Sequence, residues 1–198
     1  MKKGENHNHP KAGSRIAVEP IRSLKDIQSI KKLLADRPVY LAMFTVGINT
    51  NLRAGDLLSI TVGQVRGLQV LGELCLREQK TDKLRRINLN KACIESINRV
   101  LALKQYWRDD EYLFTGQRGR FTVPYLNTLV KTWCRSINLR GNYGSHSLRK
   151  TWGYIQRVHY GVGLPELMVV FGHATQRQTL TYLCVQPEEV KTIYSNVI

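Results

Sequence analysis

The chain has 198 residues, with 30 Lys and Arg against 15 Asp and Glu, and a formal net charge of +15. Its length fits one domain, and the 42% of hydrophobic residues is enough for a core, which excludes wholesale disorder. A small domain stays in solution with a net charge of roughly 2–8, so this excess predicts a polyanionic partner, most commonly nucleic acid. The basic residues run from Lys2 to Lys191 instead of gathering in one amphipathic helix, which argues against a membrane surface.

The polar first segment, residues 1–19, predicts a disordered tail, and residues 20–198 are predicted to form one domain. Two helices open that domain. The first is capped by Ser23 and carries apolar residues at helical spacing up to Leu34. The second begins at Pro38, is largely apolar, and ends before Asn49.

The hydrophobic period then changes to that of β-strands. Three short strands are predicted over residues 68–70, 74–76 and 84–89, with turns over residues 71–73 and 81–83. Residues 109–111 and 116–120 are rich in charge or glycine and are predicted to be loops.

Capping residues, prolines and glycines mark further helices over the rest of the chain. Three helices start at the caps Asn90, Thr122 and Ser145. A short helix runs from Pro165 to Gly172, another covers residues 179–183, and the last begins at Pro187. The predicted fold class is therefore mainly α with a small three-stranded antiparallel β-sheet (α+β), without a repeat or a second domain.

The cysteines and the chain start predict an intracellular protein. No apolar run approaches the roughly 18 residues of a membrane span, and residues 1–10 lack the apolar stretch of a signal peptide. The sequence has no C-x-x-C pair, so we expect reduced, small hydrophobic residues rather than disulfides or a metal site at Cys75, Cys93, Cys134 and Cys184. The expected location is cytoplasmic and associated with the nucleoid.

Six side chains suited to phosphate chemistry are spread along the chain. They are Arg53, Lys80, His146, Arg149, His173 and Tyr182. His146 and Arg149 share one helix face at spacing i, i+3, so both can contact one oxyanion. Lys80 stands at the tip of the predicted hairpin, where a long cationic side chain can reach away from the sheet. Arg53 is expected at the end of an apolar helix.

At these residues the sequence resembles the catalytic domain of the tyrosine recombinase (phage integrase) family. The family has an arginine in a Leu-Arg-x-x-Glu segment, which Arg53 matches with Asp56 in place of Glu. The family's hairpin lysine often stands in a Lys-Thr-Gly-Lys-like turn, which residues 80–83 resemble, with Lys80 as first candidate and Lys83 as second. The family's His-x-x-Arg box is matched by His146 and Arg149. Its Gly-His box is matched by Gly172 and His173, and its nucleophile by Tyr182.

The resemblance implies cleavage and rejoining of double-stranded DNA through a 3′-phosphotyrosyl intermediate. Tyr182 would be the nucleophile, and Arg53 and Arg149 would bind the non-bridging oxygens with their forked donors. His146 is the expected base, because a phenol with a pKa near 10 must lose its proton as it attacks. His173 would donate to or position the phosphate, and Lys80 would protonate the leaving 5′ oxygen.

The implied reaction conserves bond energy, so no ATP, metal or other cofactor is expected. In agreement, the sequence has no G-x-x-x-x-G-K-[ST] loop. Backbone phosphate contacts, which position DNA without reading its sequence, are predicted for Lys131, Arg135, Arg140, Arg157 and Arg177.

The family usually places a helical core-binding domain before the catalytic domain. Too few residues precede Arg53 for both, so we expect that domain to be absent, in either a natural single-domain enzyme or a truncated form. Binding to DNA should then be weaker and more sensitive to salt. The expected assembly is a tetramer on paired DNA sites, with DNA-bending accessory proteins as further partners. The helix after Pro187 either docks on a neighbouring protomer or packs on its own core.

Three alternatives remain open on the sequence alone. A type IB topoisomerase-like relaxing enzyme would share the residues and the covalent step. A non-catalytic DNA-binding regulator would explain the charge but not the set of arginines, histidines and tyrosine. A metal-free nuclease would use His146, His173 and Lys80, with Tyr182 as a bystander.

Overall fold

The computed structural model describes residues 17–184. The predicted tail lies outside this range except for residues 17–19, and the predicted helix after Pro187 lies outside it entirely. Within the described range the elements, in chain order, are α1 (Leu24–Leu33), α2 (Pro38–Gly47), α3 (Ala54–Leu58), α4 (Val62–Val65), β1 (Glu73–Arg77), β2 (Leu84–Asn88), α5 (Lys91–Leu101), β3 (Thr115–Gly116), β4 (Gly119–Arg120), α6 (Val123–Ser136), α7 (Ser145–Val158), α8 (Leu164–Phe171) and α9 (Gln176–Leu183).

The predicted fold class is confirmed, and three helices start at their predicted caps. The side chains of Ser23, Asn90 and Thr122 accept hydrogen bonds from backbone N–H groups in the first turns of α1, α5 and α6. These bonds satisfy donors that the helix itself leaves unpaired. Gly172 ends α8 in the left-handed conformation, with φ at 69°.

The prediction that Ser145 caps α7 is wrong. Ser145 is already helical, and the residue before it, Gly144, has no side chain that could cap the helix. Instead, Asn127 of α6 reaches across, and its Oδ1 accepts a hydrogen bond from Ser145 N at 3.1 Å. The start of α7 is therefore fixed by a neighbouring helix.

The prediction of a three-stranded sheet is wrong in detail. β1 and β2 form an antiparallel pair, with Glu73 opposite Asn88. Residues 68–70 are not a strand, because the chain turns at Gly67 and Leu71, both with positive φ, and cannot extend beside β1. A second small hairpin, β3–β4, occupies the predicted loop, since Gly119 at φ 94° permits its tight turn.

The hydrophobic core surrounds α2, which is buried from Ala42 to Gly47 and packs against α5. Phe44 meets Trp133 of α6 edge to face, with ring centroids 5.9 Å apart. A second, smaller cluster joins α8 and α9 through Leu167, Phe171 and Leu183, with Trp152 and Tyr182 against it. This second cluster holds α9, the helix that carries Tyr182.

Cys75, Cys93 and Cys134 are free thiols. Cys93 and Cys134 are buried, and burial raises the pKa of each thiol to about 12. Cys75 lies on the exposed face of β1, whose alternate residues Leu74 and Leu76 face the core. In the described range no helix is long and apolar enough to cross a membrane.

Gly153 allows α7 to approach the second cluster closely. A Cβ placed there would lie 2.6 Å from Leu183 Cδ2 and would also collide with the Phe171 ring. We therefore expect Gly153→Ala to lower the free energy of unfolding, because overpacking costs about 1–3 kcal/mol and exceeds the helix-propensity gain of about 1 kcal/mol. Urea unfolding measures this change. An increase in stability, as at an ordinary helical glycine, would contradict the packing.

Candidate active site

Tyr182 lies on α9 among aromatic and cationic side chains. Its ring centroid is 5.0 Å from that of Phe171 and 5.2 Å from that of His173, which it meets edge to face. Lys150 Nζ lies 5.0 Å from the ring centroid. Burial raises the pKa of the Tyr182 phenol, and the positive charges of Arg149 and Arg53 act in the opposite direction.

His173 follows directly on the left-handed turn at Gly172. Its ring stacks on Phe171, with centroids 5.1 Å apart, and its Nδ1 lies 3.0 Å from the buried Thr179 Oγ1. Burial and the nearby charge of Arg149 lower the pKa of His173. With Nδ1 held by Thr179, Nε2 is the nitrogen left to meet a ligand.

Arg149 is a buried cation in the middle of α7. Its side chain is held at the end of α8, where Nη2 donates to Phe171 O at 3.3 Å and the guanidinium lies over the Phe171 ring. Burial lowers the pKa of Arg149, but a guanidinium stays charged at any physiological pH. The residue therefore places a permanent positive charge beside Tyr182 and His173.

His146 stands in the first turn of α7 and is solvent-exposed. The neighbouring protein removes part of its hydration, and the charges of Arg149, Lys150, Arg53 and Lys80 add to this effect, so its pKa is lowered. The charges of Arg53 and Lys80 reach this histidine although both residues lie far from it in the sequence. The lowered pKa favours the neutral form of His146, which is able to accept a proton.

Arg53 does not end an apolar helix, as the sequence suggested. α2 already ends at Gly47, and Arg53 is the residue from which α3 starts. Its Nη1 lies 4.0 Å from Asp56 Oδ2, the motif carboxylate, but only 2.6 Å from Glu78 Oε2. The side chain is 27% exposed, so part of it faces solvent.

Sequence reasoning missed Glu78, the residue before the turn that carries Lys80. It is buried, and its carboxylate also accepts hydrogen bonds from Thr81 Oγ1 at 2.7 Å and Arg85 Nη1 at 2.8 Å. Burial alone would raise its pKa, but Thr81, Arg85 and Arg53 outweigh burial and lower the pKa to about 2. The run of residues 77–86 is rich in Lys and Arg and contains two acids, Glu78 and Asp82, and an acid in so basic a segment was the signal that could have found Glu78.

The five predicted phosphate contacts lie on several surfaces. Lys131 and Arg135 are exposed on α6, Arg140 is exposed in the following loop, and Arg177 is exposed in the first turn of α9. Arg157 is half-buried and donates to Val162 O at 3.1 Å, so it also holds the loop before α8. Their contacts with DNA stay predictions.

The mostly helical fold with two small hairpins, and a set of basic residues around one tyrosine, agree with the family that the chain resembles in sequence. The family model described as "Phage integrase family" matches residues 23–189. A probable integrase/recombinase, YoeC of Bacillus subtilis (strain 168), is 30% identical over 185 residues, which are 89% of this chain and 95% of YoeC. The tyrosine recombinase XerC of Caldanaerobacter subterraneus subsp. tengcongensis is 30% identical over 156 residues, 76% of this chain and 42% of XerC.

The fold agrees with that of a solved recombinase. The crystal structure of the XerA recombinase superposes with a TM-score of 0.73 at 18% identity, covering 93% of this chain and 66% of XerA. The chain belongs to the phage integrase family, a family of DNA breaking and rejoining enzymes. It spans nearly all of YoeC but less than half of XerC.

Proposed function

We propose that this protein is a site-specific DNA recombinase that cuts and rejoins double-stranded DNA through a bond between Tyr182 and a 3′ phosphate. One observation carries the proposal: the Tyr182 ring packs against His173 and beneath Lys150 Nζ, while the charges of Arg149 and Arg53 act on its phenol. These cations favour a negative oxygen at the point where the nucleophile must form.

In the cleavage step, Tyr182 Oη forms a bond to phosphorus while the bond from phosphorus to the 5′ oxygen breaks. Neutral His146 takes the phenol proton, and Lys80 gives a proton to the leaving 5′ oxygen. The products are a 3′-phosphotyrosyl bond and a free 5′ hydroxyl.

Charge on the phosphate is neutralised by the two arginines. Arg53 and Arg149 donate to the non-bridging oxygens, and His173 contacts the phosphate through Nε2. In the joining step, a 5′ hydroxyl of a partner strand attacks the phosphotyrosyl bond, the phenol leaves, and the protons return. The energy of the broken bond is kept in the intermediate.

The exchange of strands between two DNA sites requires more than one protomer. We propose that four copies assemble on paired sites, with DNA-bending accessory proteins where the DNA path needs them. The net charge of +15 supports close binding to the DNA backbone. The packing of the half-buried Tyr182 ring against His173 and Lys150 favours this function over a regulator or a nuclease, for which the tyrosine would have no task.

The chemistry of the cut ends tests the proposal. Protein is incubated with supercoiled plasmid and with fragmented DNA from its source, denatured in detergent, and freed from uncut DNA. We expect trapped DNA whose 5′ ends accept labelled phosphate from polynucleotide kinase directly and whose 3′ ends resist a 3′ exonuclease. Protein-free ends carrying a 5′ phosphate would contradict the proposal and indicate a nuclease. Plasmid relaxation without strand exchange between two sites would indicate the relaxing enzyme.

The lowered pKa of His146 predicts the pH dependence of cleavage. A base must be neutral, so the rate of covalent complex formation should fall as the pH drops through the pKa of His146, with a midpoint below the ordinary value of 6.5. NMR titration of the His146 ring, assigned with His146→Gln, should give the same midpoint. A midpoint above 6.5 would contradict the assignment.

A further inference from the structure

The carboxylate closest to Arg53 is not the one that the family motif supplies. We infer that Glu78 is a positioning residue for DNA cleavage: its buried carboxylate holds Arg53 and the turn carrying Lys80 in one fixed arrangement. This inference rests on the proposed function, since Arg53 and Lys80 act there on the phosphate and on the leaving oxygen.

The two acids near Arg53 have different partners. Asp56 Oδ1 accepts a hydrogen bond from Gln79 N at 2.9 Å, and its other oxygen is 4.0 Å from Arg53. Glu78 Oε2 is in direct contact with Arg53 Nη1, at 2.6 Å. Asp56 therefore anchors the backbone of the turn, and Glu78 restrains the guanidinium itself. Arginine has five N–H donors, so one contact with Glu78 leaves others for a phosphate.

The turn between β1 and β2 is built on Glu78. Its N–H donates to Lys83 O at 3.0 Å, its carbonyl accepts from Asp82 N at 2.8 Å, and its side chain accepts from Thr81 Oγ1. Lys80 lies inside this turn and is exposed. The Glu78 side chain thus holds two groups: the turn that carries Lys80, and the guanidinium of Arg53.

Arg85 extends the same network towards His173. Its Nη1 binds Glu78, and its Nη2 donates to Val170 O in the last turn of α8 at 3.4 Å. Asn51 Nδ2 donates to the same carbonyl at 3.0 Å. The Glu78 carboxylate therefore connects the hairpin to Arg53 at the start of α3 and, through Arg85, to the end of α8.

The carboxylate stays ionised throughout the working pH range, because its pKa is about 2. Glu78→Gln removes this charge while keeping the size of the side chain. Arg53 and the turn should then lose their fixed arrangement, and misplacement by about 1 Å can cost 10²-fold in rate. We expect the rate of covalent complex formation to fall by about 10²-fold, with plasmid affinity unchanged or slightly higher.

The matched control is Glu73→Gln. Glu73 lies on the same hairpin and pairs with Arg86 at 3.4 Å, but its side chain is exposed. The control changes the net charge by the same amount, so any general effect on DNA binding appears in both variants. Glu78→Asp keeps the charge with a shorter reach, and it should fold and recover part of the rate. Thermal unfolding of each variant sets a temperature at which all are native.

Two measurements on full-length protein test the inference. The first is NMR of ¹⁵N-arginine protein, in which the Arg53 guanidinium, assigned with Arg53→Lys, should give separate Nη signals that merge in Glu78→Gln but not in Glu73→Gln. The second is the rate of Tyr182 capture on plasmid DNA. Unchanged Arg53 signals in Glu78→Gln, or capture at the rate of Glu73→Gln, would overturn the inference. If wild-type protein gives no capture, the proposed function fails, and the NMR result alone decides the role of Glu78.

Discussion

Replacing Tyr182 by phenylalanine is expected to abolish covalent attachment to DNA and leave DNA binding intact. The substitution removes one oxygen, the atom that forms the bond to phosphorus in the proposed reaction. The ring should keep its packing against Phe171 and His173, because these contacts involve the ring and not the hydroxyl. Detergent-resistant complexes with labelled plasmid measure attachment, and salt-dependent gel shifts measure binding.

The control for this prediction is Tyr160→Phe. Tyr160 is 71% exposed and follows α7 in the chain, so the loss of its hydroxyl should change neither attachment nor binding. Cleavage that survives Tyr182→Phe would remove the tyrosine from the mechanism and favour a nuclease based on the two histidines and Lys80.

Replacing Arg149 by lysine is expected to reduce the rate of covalent attachment by about 10²–10³-fold, the range seen when one donor to a developing oxyanion is lost. Lysine keeps the charge, but its donors sit on a single nitrogen, so it cannot bind a phosphate with the paired hydrogen bonds of a planar guanidinium while it also holds Phe171 O. The end of α8, from which His173 follows, would also lose a support. Single-turnover capture of wild type and variant measures the change.

Arg157→Lys is the matched control on the same helix. Arg157 also donates to a backbone carbonyl, Val162 O, but it is half-buried, and its predicted contact is with the DNA backbone and not with the phosphate that is cleaved. We expect a reduction of at most a few-fold in attachment rate. Equal losses in the two variants would mean that Arg149 supports the fold of α7 and α8 without acting on the phosphate.

Local signals were enough to predict most helices and the β1–β2 hairpin. Caps such as Asn90 act on N–H groups within one helical turn, and Gly172 ends α8 through its own backbone conformation. The strand predicted over residues 68–70 was wrong because its alternation of Leu68 and Val70 is equally compatible with the turn in which they lie.

The contacts that organise the site were beyond local reasoning. The motif pairs Arg53 with Asp56, which are near in sequence, but the ion pair with Glu78 depends on how the hairpin packs against α3. Likewise, Asn127 caps α7 from another helix. Motif spacing therefore selects the candidate residues, and only tertiary packing shows which other side chains hold Arg53 and the start of α7.

The most direct test of the central claim is the identity of the residue bound to DNA. Wild-type protein is trapped on plasmid and on fragmented source DNA, digested with protease and nuclease, and searched by mass spectrometry for a peptide carrying a nucleotide. We predict a single modified site at Tyr182, joined through a 3′ phosphate, and its absence from Tyr182→Phe. A nucleotide on any other residue, or cleaved DNA without a modified peptide, would contradict the account.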